Sequence, residues 1–83
     1  MMTSIRAIRL DDELFPVGED FTVLTRNLSV SGISIVHATP LDGKLAVLIE
    51  LPEIGYVQLL LDIVRCQKLG EMYEMGGAFF ERR

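Results

Sequence analysis

The sequence predicts an all-β domain, and three observations lead there. Apolar and polar residues alternate in short runs, turn-forming Gly, Pro, Asn and Asp separate those runs, and no window sustains a helical period. The chain has 83 residues, which leaves little room for connections. Six antiparallel strands of this size avoid long bare edges most directly by closing into a small barrel.

The first run, Thr3 to Leu10, alternates Ile5 and Ala7 or Ile8 with Arg6 and Arg9. It breaks into Asp11-Asp12-Glu13, and Pro16 and Gly18 mark a loop. Phe21, Val23 and Thr25 alternate with Thr22, Leu24 and Arg26 in a second strand ending near Asn27. A tight connection at Leu28 to Gly32 leads to a third strand, Ile33 to His37. Thr39-Pro40-Leu41-Asp42-Gly43 has the composition of a turn and predicts a hairpin-like return. Lys44 to Leu51 is the cleanest strand, with Leu45, Val47, Ile49 and Leu51 on one face. After Pro52-Glu53-Ile54-Gly55, the run from Tyr56 to Lys68 places Val57, Leu59, Leu61 and Ile63 on one face with Arg65 at its end, and Asp62 opposite. The last strand, Met72 to Glu81, is broken at Gly76-Gly77, where a bulge or a close backbone approach is expected.

Composition bounds the function. A chain of 9.3 kDa is a single module. At this size folding buries roughly 60% of the unfolded surface and leaves about 4–12 kcal/mol of stability, thin enough for a partner subunit or homo-oligomer to matter. Twelve acidic against eight basic residues give a net charge of -4, which argues against DNA or RNA tracking along a phosphate backbone. One cysteine, Cys66, excludes an internal disulfide and a multi-cysteine zinc cage, and the single His37 excludes a two-histidine metal site. No apolar stretch is long enough to span a membrane as a helix, and no apolar signal segment follows the start, so a soluble, cytoplasmic protein is expected.

Few residues could carry chemistry. His37 reads as structural, and Cys66 as a buried, inert thiol. Asp11, Asp12, Glu13, Glu19 and Asp20 lack the ligand spacing of a calcium loop and read as solvated. Arg26 and Arg65 could supply positive potential at strand ends or form rim ion pairs with Asp20, Asp62 or Glu74. Arg82 and Arg83 read as solvated. An enzyme would need a nucleophile with a base, or a metal site, and neither is visible, so no catalytic function and no cofactor is expected.

The most distinctive segment is Arg26-Asn27-Leu28-Ser29-Val30-Ser31-Gly32-Ile33. Its plain reading is a β-turn whose Asn and Ser bond the local backbone. Its spacing, Asn-x-Ser-x-x-Gly between the second and third strands of a six-stranded β domain, resembles the second ligand motif of the PilZ family. The resemblance runs from about Phe21 to Phe80. It includes Gly43 before the strand Leu45 to Leu51, the Leu51-Pro52 turn, Val64-Arg65-Cys66 and the ending Tyr73-Glu74-Met75-Gly76-Gly77-Ala78-Phe79-Phe80.

The resemblance implies a small β-barrel acting as a non-catalytic bacterial signalling module. It implies cyclic dimeric GMP as the ligand, with Asn27, Ser29 and Gly32 contacting its guanine and phosphate edges, and a protein partner or fused domain that senses binding. The family's first motif, Arg-x-x-x-Arg ahead of the first strand, is not matched. The nearest residues, Arg6 and Arg9, are three apart inside a strand, so they point to opposite sides and do not clamp one ligand. This departure leaves three expectations open: an N-terminal ligand-binding segment missing from the sequence, a barrel completed by a partner chain, or a PilZ-like interaction or self-assembly module without nucleotide binding.

Overall fold

The computed structural model of the protein describes residues 2–81; Arg82 and Arg83 lie outside them. Six strands follow one another: β1 (Thr3–Leu10), β2 (Pro16–Leu28), β3 (Gly32–His37), β4 (Lys44–Leu51), β5 (Gly55–Leu69) and β6 (Met72–Phe80). They close into a barrel in the order β1-β2-β3-β6-β5-β4, with every neighbouring pair antiparallel. The chain's own β1 and β4 seal the barrel from Arg6↔Leu48 to Leu10↔Lys44, so closure takes no strand from a partner.

Strand alternation sends one set of side chains inward. Ile5, Val23, Ile35, Leu45, Val47, Leu61 and Met75 meet there, joined by Ala7 and Ile33. Burying a side chain of this size stabilises by about 1.5–3 kcal/mol, so this small barrel rests on these few residues. Gly77 lies against Leu61, and a Cβ at Gly77 would overlap the Leu61 side chain.

The structure corrects the sequence reading in several places. Pro16 and Gly18 belong to β2, not to a loop. Pro16 opens the strand opposite Leu10, and Gly18, with φ of 76°, sits where the register with β1 shifts between Ala7 and Arg9. The segment after β3 does not make a hairpin-like return. β3 pairs with β2 and β6, while β4 pairs with β1 and β5, so the connection crosses the end of the barrel and its Leu41 is buried in the core. β6 runs unbroken through Gly76-Gly77, and the irregularity lies across from it, between Ile63 and Arg65 of β5. That bulge inserts Val64 and turns Arg65 away from the face of Ile63, contrary to strict alternation. Cys66 is exposed, not buried. β4 begins opposite Asp62, so beyond that point β5 is paired with β6 only, and after Ile63 it leaves the core.

Candidate functional site

The Asn27 to Gly32 segment is built by local bonds. Ser29 N–H donates to the Gly32 carbonyl at 2.9 Å. Ser29 Oγ accepts from Gly32 N–H at 3.2 Å and lies 3.2 Å from the Gly32 carbonyl, to which it donates. Gly32 is required for a different reason. It faces Ala78 across the β3–β6 ladder, and a Cβ there would collide with the backbone carbonyl of Gly77. Two of the three motif residues therefore have a structural task.

Two β-bulges shape the surface beside this turn. In β2 the register passes from Thr25↔Ile35 to Asn27↔Ser34, so Arg26 is the extra residue and Asn27 joins Ser34 on the outer face. In β5 the register passes from Ile63↔Gly77 to Arg65↔Gly76, which brings Arg65 to the same outer face. Between them the outward positions of β3 and β6 are small: Gly32, Ser34, Gly76 and Ala78. The result is a shallow groove of about 390 Å³, with Asn27, Ser29 and Ser31 on one side and Val64 and Arg65 on the other. Arg65 lies flat over Gly76, its Nε 2.7 Å from where a Cβ would stand.

Charge at the groove is distributed unequally. Arg26 is committed to Glu74, with Nη1 to Oε2 at 3.0 Å. Ser34 Oγ donates to the same oxygen at 3.0 Å, and Gln67 Nε2 donates to Oε1 at 3.0 Å. The Ser34 hydroxyl above all, then the Gln67 amide, hold the Glu74 carboxyl below its ordinary value; partial burial opposes them, and the nearby Arg26 charge assists. Sequence reading anticipated Glu74 as an ion-pair partner but not Ser34 or Gln67, which reach it only through strand register. Among the described residues, neither the Asn27 amide nor the Arg65 guanidinium has a side-chain hydrogen-bond or ion-pair partner.

Arg6 and Arg9 are elsewhere. Arg6 pairs with Asp20 at 2.6 Å and borders a larger cleft of about 650 Å³, lined also by Ile5, Arg26, Ile49 and Tyr56, where the β1 and β4 ends separate. Arg9 lies 3.6 Å from the highly exposed Asp42 at the opposite end of the barrel. Arg6 and Arg9 thus do not converge. His37 is held at a strand end: Thr39 N–H donates to its Nδ1 at 3.3 Å, and its ring lies 5.2 Å from that of Phe21. Asp11 Oδ1 accepts from the Glu13 and Phe15 amides, each at 2.9 Å, which makes it a turn cap. No cluster of three or more metal-ligating side chains occurs among the described residues, and no helix there is long and apolar enough to cross a membrane.

The groove brings together a guanidinium, a side-chain amide and a floor of small residues. A planar guanidinium offers paired donors to a phosphate, an amide reads a base edge, and a floor of glycine and serine lets a flat ligand approach the backbone. Comparison with family models, with curated proteins and with solved structures finds no match for this chain.

Proposed function

We propose that the chain is a non-catalytic signalling module of PilZ type that binds cyclic dimeric GMP in the groove between the Asn27 to Gly32 turn and Arg65. The observation that carries this reading is the pairing of two uncommitted groups, the Asn27 amide and the Arg65 guanidinium, across a floor of small residues. Arg65 takes the phosphate role that Arg6 and Arg9, engaged with Asp20 and Asp42, leave open. Asn27 and the turn present donors to a guanine edge. Such a module acts in a bacterial cytoplasm and passes ligand occupancy to a protein partner or fused domain.

Calorimetric titration of the purified chain with cyclic dimeric GMP tests the proposal. Saturable heat at micromolar or tighter affinity supports it. A folded protein that gives no heat sinks it, and favours a second reading: an interaction module that does not bind the nucleotide. The exposed Val64 that lines the groove, with the exposed Val30 in the adjoining turn, speaks for that reading, because apolar surface beside the groove suits a protein contact.

A further inference from the structure

The floor of the groove has a fixed polarity. Strand register sets four residues in one row on the outer face: Arg65 of β5, Gly76 of β6, Ser34 of β3 and Asn27 of β2. Asn27 and Ser34 stand directly opposite each other, which puts their Cβ atoms about 4.5–5.5 Å apart. Gly76 has no side chain, and Arg65 lies over it. Ser34 is therefore the polar centre of the floor, with the Asn27 amide on one side and the Arg65 guanidinium on the other.

The Ser34 hydroxyl is already oriented. Ser34 is buried, and its Oγ donates to Glu74 Oε2 at 3.0 Å. Two further donors hold that carboxylate in place, Arg26 Nη1 on the same oxygen and Gln67 Nε2 on Oε1, each at 3.0 Å. An ionised carboxylate only accepts, so the Ser34 proton points at Glu74 and the oxygen has only lone pairs left for a ligand. Asn27 differs. Its amide carries both donors and an acceptor, has no side-chain partner among the described residues, and can turn to present either.

We infer that Ser34 selects the base: with its proton tied to Glu74, it accepts the ring N1–H of guanine and rejects adenine, whose N1 presents a lone pair at the same place. The inference rests on the groove being the nucleotide site proposed above. Taking adenine there requires either two lone pairs in contact or the loss of a buried hydrogen bond to Glu74, and both are unfavourable. Asn27 Nδ2 meets the guanine O6, which neighbours N1 on the same edge. Because the Asn27 amide can turn, it suits either base and does not discriminate. Ser34 is the contacting residue, and Glu74 is a positioning residue that acts through the Ser34 proton. Neither belongs to the Asn27, Ser29, Gly32 pattern; strand register brings them to the groove.

Calorimetric titration of the full chain with cyclic dimeric GMP, its adenine counterpart and its inosine counterpart tests the inference, and the ratio of affinities is the readout. The wild-type protein is expected to favour the guanine form over the adenine form at least about tenfold. The inosine form keeps N1–H and lacks only the 2-amino group, so its affinity should lie nearer that of the guanine form. Ser34→Ala is expected to weaken the guanine and inosine forms but not the adenine form, which brings the ratio towards one. Ser34→Thr keeps a hydroxyl and should keep the preference. Glu74→Ala frees the Ser34 proton and should lower the ratio too, even as the released Arg26 strengthens binding of every phosphate ligand; a merely structural Glu74 would move all three affinities together. Equal binding of the guanine and adenine forms by the wild-type protein overturns the inference while leaving the nucleotide site in place. So do folded Ser34→Ala and Glu74→Ala proteins that keep the wild-type ratio. Binding of none of the three sinks the nucleotide site and this inference together.

Discussion

Arg65 decides how the groove is read, because its guanidinium is uncommitted while those of Arg6, Arg9 and Arg26 are engaged. Arg65→Ala is expected to weaken cyclic dimeric GMP binding at least about tenfold, since one charge-assisted phosphate contact is worth about 1.5–3 kcal/mol. Stability should change by no more than about 0.5 kcal/mol, because the side chain is exposed; a large fall in Tm would show Arg65 to be structural. Glu74 makes a different prediction. Its folded carboxyl titrates below the ordinary value of 4.5, mainly through Ser34 and then Gln67. As pH falls the unfolded chain takes up this proton first, so the stabilisation is fully present above that value and is lost as pH drops through the lowered one. Melting curves of wild type and Glu74→Gln should therefore converge as pH falls from about 7 to about 3; a gap that stays constant would contradict the assignment. Asn27 was legible as a candidate because its spacing is local. Arg65 and Cys66 were misplaced because a bulge shifted the face of one, and the end of β4 pairing exposed the other.

Strands were legible where alternation is undisturbed. Leu45, Val47 and Ile49 in β4 and Leu59, Leu61 and Ile63 in β5 face the core as their spacing requires. Strand partners were not, since nothing in Thr39 to Gly43 distinguishes a hairpin turn from a crossing of the barrel end. What separates the two is the destination of Leu41, a tertiary fact. The β5–β6 pair gives a sharp test of packing. Leu61→Ala should cost about 2–5 kcal/mol, as a large-to-small change at a fully buried site. Gly77→Ala should also destabilise, because its Cβ would overlap Leu61. In the Leu61→Ala background that collision is relieved, so the double variant should be more stable than the sum of the single effects predicts. Strict additivity would mean that Gly77 and Leu61 do not share the space described.

At the scale of the whole molecule, a closed barrel fixes two concave surfaces with different properties. The groove over β3 and β6 is shallow and small-floored with a largely apolar lining, and the cleft at the β1 and β4 ends is larger and more polar. Barrel closure was legible from strand count and chain length, whereas the two bulges that make the groove were not, because an extra residue leaves no mark in an alternating pattern. The Gly76-Gly77 pair suggested a break in β6 itself, whereas β6 runs unbroken and the bulge lies opposite it in β5. The central claim is that the groove, and not the larger cleft, takes the ligand. Amide NMR spectra recorded during titration with cyclic dimeric GMP test it most directly. Saturating shifts confined to Asn27 through Ser34, Val64 to Arg65 and Gly76 to Ala78 are the predicted result; shifts centred on Ile5, Ile49 and Tyr56, or no shifts at all, would contradict it.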